Sequence, residues 1–526
     1  MTGQLVMVPK ILGADVELSN FVLGLSEPDG TGRMASRALL SAVRGVPASV
    51  FTTTQSLDWG RKYLPANGGC VYIDSDHLEL ALCETFSAFD HVAYWRAMLA
   101  VARTAMVHVN EELPHGCRLQ VLANCSDGQS NSYGSHVNVL LTRDAWDNIF
   151  CRRAHYLAYL AAFQISSIVI TGQGKVGAER DRPDVDFQLS QRADFIQTLV
   201  SIDTMVYRGV INSRDEPLCG LGRHAADPPL ARLHVIFFDS TLCEVATLLR
   251  VGMLQMVVAM IEAGCVNADL ALDDPLEALE HYSRDPDLGA RARLVNGGMR
   301  TAVELQREFL DEARQFAARG GFDGIVPGAD RLLQLWDDTL GRLEARDFDT
   351  LSRRLDWVLK RRLLQGVLER RPELTWQSPA LRQLDQLYAS LDESDGLFWA
   401  VERAGQVDRV VDEAAVERAR REPPSDTRAW TRAQLLRLAG RNRVEQIDWD
   451  RMRFTLPSAR PPYSRSRTVR MPTPFGDTRA ANERYFGAGA SLAVVLEALG
   501  ACEEPYFTAA QMIAPEVWTI GTGEER

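Results

Sequence analysis

Four short runs of this chain place acids, imidazoles or arginine at alternate positions. In residues 13–18, Asp15 and Glu17 are two apart, so an extended backbone points both to one face. In residues 70–76, Tyr72, Asp74 and Asp76 fall on one face while Val71 and Ile73 take the other, and Glu79 and Glu84 follow closely. His136 and Asn138 share a face with valines behind them, as do Arg232 and His234. An antiparallel sheet with one face in water gives the same alternation. Asp and His are poor strand formers, however, and their repeated use at strand positions calls for another reason. Carboxylates with imidazoles on one concave face make a hard-cation site: oxygen donors suit magnesium or manganese, and manganese tolerates His. Such a site with arginine nearby is what phosphoryl transfer needs, because cations neutralise phosphate oxygens and arginine holds spreading charge. Arg192 and Arg214 are candidate phosphate or carboxylate clamps, although each alone also suits a structural salt bridge. The Gly-rich run at 171–177 lacks the spacing of a nucleotide-binding P-loop and reads as a turn.

The elements that must carry these residues are strands in the first half. Residues 10–18, 70–76, 119–124, 136–142 and 232–239 are rich in Val, Ile, Leu and aromatics. The second half changes to helical spacing, with Ala302, Leu305, Phe309, Ala313 and Phe316 on one stripe and Phe348, Leu351, Leu355, Val358 and Leu359 on another. Residues 422–428 read as a Pro-rich turn with Ser425 or Asp426 as a helix cap, and residues 457–474 as a second linker. The fold class expected is α+β: a sheet-based catalytic domain over residues 1–422, sheet-rich then helical, and a small C-terminal domain over 423–526.

Bulk properties exclude some functions. With 526 residues, 46% hydrophobic and 24% charged, the chain has an ordinary globular composition and can bury a large core. A net charge of −12 argues against a nucleic-acid binder, though a local pocket of arginine and metal can still take a nucleotide. The most apolar windows, 157–170 and 251–264, are shorter than the ~20 residues of a bilayer span and are interrupted by polar side chains. The first twelve residues have no signal-peptide pattern. Nine cysteines without a C-x-x-C pair fit a reducing compartment, so a cytoplasmic location is expected and no membrane partner.

The order of these motifs resembles the family of the Pup ligase and the Pup deamidase/depupylase, relatives of glutamine synthetase. The resemblance runs from residues 13–17 through 67–84, 131–138, 187–192, 211–217, 232–236 and 243–252. It continues through 305–308, 355–357, 423–429 and 482–484. It implies a glutamine-synthetase-like antiparallel sheet cradle packed by helices, with ATP and Mg2+ (or Mn2+) as cofactors. Asp15 and Glu17 stand at the family's metal-binding Glu-x-Glu and Glu79 at a further metal carboxylate. His136 and His234 match imidazoles of its metal and nucleotide site; Tyr72, Arg192, Arg214 and Arg232 fall in its ATP-site motifs, and Asp74 matches its catalytic aspartate. The partner implied is a Pup-like small protein and its conjugates. Asp74 would activate water or attack the γ-amide of a C-terminal Gln or an isopeptide. In the alternative ligase direction, ATP phosphorylates a Glu γ-carboxylate and a Lys amine attacks, with Asp74 as base. A carboxylate–amine ligase for a small metabolite or peptide is a third reading, and a binding module without catalysis a fourth.

Three departures stand out. Asp15 is one methylene shorter than the family's Glu. Val137 replaces a Glu, and alternation turns it away from His136. The segment between Glu17 and Asn67 is intermediate in length between the two enzyme types. The Asp74-to-Glu79 spacing, residues 133–136 and residues 425–429 lean to the depupylase, whereas Pro474-Phe475 and residues 482–484 lean to the ligase.

Overall fold

A computed structural model describes residues 7–24, 28–49, 58–216, 229–457 and 464–504. Pro217, residues 458–463 and part of the stretch between Glu17 and Asn67 lie outside them. Strand β1 (Leu12–Leu23) is central, followed by α1 (Pro28–Ala42), β2 (Val46–Pro47), β3 (Asp58–Tyr63), β4 (Cys70–Asp74), β5 (His77–Thr85), α2 (Ala88–Glu112), β6 (Arg118–Leu122) and β7 (Ser135–Thr142). The short pairs β8 (Lys175–Val176) with β9 (Phe187–Gln188), and β10 (Ile196–Ser201) with β11 (Arg208–Asn212), precede β12 (Leu230–Val235). The main sheet runs β12-β7-β1-β5-β4-β3-β2, with β6 beside the second half of β1. All its pairings are antiparallel. The expected α+β sheet packed by helices is what the chain forms.

The two faces of the sheet differ as the alternation requires. Ala14, Val16, Leu18, Val71, Leu80, Val137 and Leu233 are buried on the back, against α2 and the helix Glu244–Glu262. Val137 thus points away from His136 and into the apolar core. That helix is entirely buried, and the apolar stretch Ala154–Thr171 is 78% buried, so both fill the core. The front face is shared. At one end a second core joins Tyr63, Cys70, Tyr72 and Ala81 to a C-terminal unit containing helix Ala429–Ala439 and the strands Val444–Asp448, Arg451–Pro457, Ser464–Arg470 and Cys502–Glu504. The rest of the front face is the floor of a cleft.

Several local expectations are corrected. Strand β1 runs on to Leu23 because its second half finds β6. Asp76 does not share the face of Asp74. Ser75 and Asp76 both have positive φ (49° and 69°) and form the two-residue turn between β4 and β5, which ends the alternation and leaves Asp76 paired with Arg33. Helix Ala429–Ala439 begins after Arg428, without a side-chain cap from Ser425 or Asp426. Within the expected second linker, Ser464–Arg470 is instead a strand of the C-terminal sheet. The break at Ser352–Leu355 splits the second helical stripe into Phe348–Leu351 and Asp356–Arg370.

Candidate active site

Register assembles the site. Residues directly opposite in adjacent strands share a face. Asp15 lies opposite His136, Glu17 opposite Glu79, Glu79 opposite Tyr72, His234 opposite Asn138 and Asp74 opposite His77. The β4–β5 turn is the device that returns His77 and Glu79 to the face of Tyr72 and Asp74. All of these except Asn138, which faces an adjoining slot, line one cleft of about 1420 Å3. It brings together Asp15, Glu17, Tyr72, Asp74, Glu79, His136, Arg214, Arg232 and His234.

Arg192 is not on the wall. It is buried behind it, where its guanidinium donates to the Tyr133 carbonyl and the Ser132 hydroxyl. Arg208 supports the same loop through the Ser132 carbonyl at 3.0 Å. The Gly-rich run at 171–177 is also interior: Gln173 holds the carbonyls of Ala123 and Ser240. These groups fix the approach of residues 126–134 to β7, so Arg192 shapes the cleft from beneath.

The donor atoms are held in defined orientations. Asp15, His136 and His234 each offer a ligand atom within 4.8 Å of the other two. Asn138 donates to Asp15 Oδ2 at 2.9 Å and accepts from Arg232 at 2.7 Å. Arg232 also donates to the Glu216 carbonyl at 2.7 Å. Tyr72 donates to Glu79 Oε1 at 2.8 Å, and the Arg61 guanidinium lies 4.0 Å from the Tyr72 ring. His77 rests on Tyr133 with ring centres 4.6 Å apart, and its Nδ1 is 3.4 Å from Glu17 Oε2. Gly134 makes the approach possible: a Cβ there would lie 2.5 Å from His136 Nε2 and 2.7 Å from Glu17 Oε1.

Charge explains what such a face is for. Burial, joined by the carboxylates of Asp15, Glu17 and Asp74, pushes Glu79 well above the usual carboxylate range. Burial also works to raise Glu17, but His77 and His136 outweigh it and hold it below its ordinary value. Burial lowers His136 to about 4, with Arg192 adding to the effect, and burial joined by Arg232 lowers His234 well below the usual imidazole range. Neutral imidazoles are the form in which His ligates a divalent cation, and a cation among the crowded carboxylates would offset the repulsion that raises Glu79. The residues therefore fit a metal.

A second, apolar slot adjoins the cleft, sharing Asp15, Arg232 and Trp449 with it and lined further by Leu12, Leu82 and Val139. Sequence reasoning missed Trp449, which the C-terminal unit delivers, and Arg61 and His77. The turn at Ser75–Asp76 hid His77, because uninterrupted alternation puts it on the face away from Asp74.

The Pup-ligase protein family model matches residues 32–453. The Pup deamidase/depupylase of Mycolicibacterium smegmatis is 37% identical over 74% of this chain and 74% of its own length. The chain belongs to the Pup ligase family. The Pup–protein ligase of Kribbella flavida, also in this family, is 35% identical over 75% of the chain and 84% of its own length. Family members thus include enzymes of both directions. The fold matches that of the ligase PafA in its complex with the prokaryotic ubiquitin-like protein Pup, with a TM-score of 0.74, 23% identity and 94% of each chain covered.

Proposed function

We propose that this enzyme uses ATP and Mg2+ or Mn2+ to act on the C-terminal Gln or Glu side chain of a Pup-like small protein, in the deamidase/depupylase direction. The observation that carries the proposal is the placement of Asp74 at the end of β4, in the cleft and on the same sheet face as Tyr72, Glu79 and the Asp15–His136–His234 group. Asp74 is the base or nucleophile toward the γ-amide. Asp15, Glu17, Glu79, His136 and His234 would hold cations, whose contribution when bound is to neutralise phosphate charge. Arg214 and Arg232 face the cleft as phosphate clamps, and Trp449 beside Arg232 offers an aromatic ring for a base to stack on. The cleft exceeds the roughly 300–1,000 Å3 of ordinary small-molecule pockets, leaving room for a polypeptide end beside a nucleotide. All eight described cysteines are free, in keeping with a cytoplasmic location.

The ligase direction is the second reading, favoured by the relative from Kribbella flavida. The two separate in one experiment on a Pup conjugate joined through an isopeptide bond. The hydrolase reading expects release of Pup that requires a divalent cation and proceeds without stoichiometric ADP. Growth of adduct with one ADP per bond, and no release, would replace it by the ligase.

A further inference from the structure

We propose that Asp15, His136 and His234 form a cation site that selects manganese over magnesium. The inference deepens the metal-dependent reading above and rests on it. Two of the three donors are imidazoles, and the structure fixes which nitrogen His234 presents. His234 Nδ1 lies 3.1 Å from Asn212 Oδ1. The orientation of that amide is set by its nitrogen, which donates to the carbonyls of Ser201, Ile202 and Asp203, while its oxygen also accepts from the Arg214 backbone. An oxygen can only accept, so the proton sits on His234 Nδ1 and Nε2 offers a bare lone pair. His136 stands edge-on to His234, with ring centres 4.9 Å apart, and its Nε2 is the atom for which Gly134 leaves room.

Asp15 is restrained in the same way. Asn138 occupies its Oδ2 and is itself oriented by Arg232, so one carboxylate oxygen is left to meet the two nitrogens. Magnesium favours six oxygen donors in near-ideal octahedral geometry and keeps several waters. First-row transition ions accept imidazole, with affinity increasing along the series from manganese. A site of two oriented nitrogens and one carboxylate oxygen discards much of what magnesium gains from an all-oxygen shell. Asn212 and Asn138 are positioning residues in this scheme; neither is a ligand.

The test uses the full chain without nucleotide. Loss of the free Mn2+ EPR signal measures binding, and added Mg2+ measures competition. Half-displacement should need at least about a tenfold excess of Mg2+. His234→Asn and His136→Asn should each weaken Mn2+ binding by about tenfold or more while changing Mg2+ binding far less, so the preference collapses. Pulsed EPR of the parent should show 14N coupling from two imidazoles, a readout that does not depend on variants folding. Equal competition by Mg2+, or Mn2+ bound without imidazole coupling, overturns the proposal. Cleavage of a Pup conjugate with Mg2+ and no Mn2+ preference would sink this inference alone. Mn2+ selectivity in a chain that leaves Pup conjugates untouched would instead sink the proposed function.

Discussion

At the scale of single residues, Gly134 is the most exacting position on the cleft wall. His136 Nε2 and Glu17 Oε1, the far ends of two side chains whose strands are paired here, both crowd the place where a Cβ would be. Gly134→Ala must therefore separate the two donors by moving one of them. We expect metal affinity to fall by roughly 10- to 100-fold, the range seen when groups that orient ligands are lost, with the unfolding transition little changed. Isothermal titration with Mn2+ beside a thermal melt checks this. Unaltered affinity would show that His136 does not need this close approach to hold a cation. That Asp15 shares a face with Glu17, and Arg232 with His234, was legible from alternation, because residues two apart in a strand must share a face. That Asp15, Glu17, His136 and His234 belong to one site came from the resemblance. Arg192 was read as a clamp from its type, and only the fold reveals that its Nη1 donates to the carbonyl and hydroxyl of the loop behind the wall.

At the scale of elements, the contact between the sheet and the C-terminal unit depends on Glu84 at the end of β5. Its carboxylate is buried between Arg428 and Arg432, at 2.7 and 3.0 Å from Oε1, and Thr427 donates to its backbone carbonyl. Burial alone would raise this carboxyl, but the two guanidiniums outweigh it and bring it down to about 2. A carboxyl depressed on folding stabilises the folded state above its unfolded pKa, and that stability is lost as pH falls toward the folded value. The contribution is on the order of 3 kcal/mol at neutral pH. Glu84→Gln should therefore lower stability by about 3–5 kcal/mol, since it removes the carboxylate that two buried guanidiniums share. The gap from the parent should narrow between about pH 4.5 and pH 2. Urea unfolding at pH 7 and pH 3 measures it; a gap independent of pH would mean the pair carries no such linkage. This clamp was not legible in the sequence, where Glu84 and Arg432 stand far apart and the run before Ala429 reads only as a turn. The proposed division at residue 423 is thus one of chain course, with the second core shared across it.

At the scale of the whole molecule, one sheet does two jobs. Its apolar back is sealed by α2 and the helix Glu244–Glu262, while its polar front is half roofed by the C-terminal unit and half left as the cleft. The back was readable as alternating valines and leucines. The roof was not, because Cys70, Tyr72 and Ala81 look like ordinary strand residues until the unit that covers them is in place. This arrangement brings Trp449 to a cleft whose acids lie hundreds of residues earlier, and it leaves Asp74 at the open side with its carboxylate accepting from Ser75 at 3.0 Å. The central claim is that Asp74 performs the chemistry on a side-chain amide. The most direct measurement is intact-mass analysis of a Pup-like protein ending in Gln, incubated with ATP, a divalent cation and either the parent, Asp74→Asn or Asp76→Asn. The account predicts conversion of the terminal Gln to Glu by the parent. It predicts at least ~10²-fold slower conversion by Asp74→Asn with ATP binding retained, and near-parental conversion by Asp76→Asn, whose side chain pairs with Arg33 away from the cleft. Equal turnover by Asp74→Asn and the parent, or no mass change while nucleotide is demonstrably bound, would contradict it.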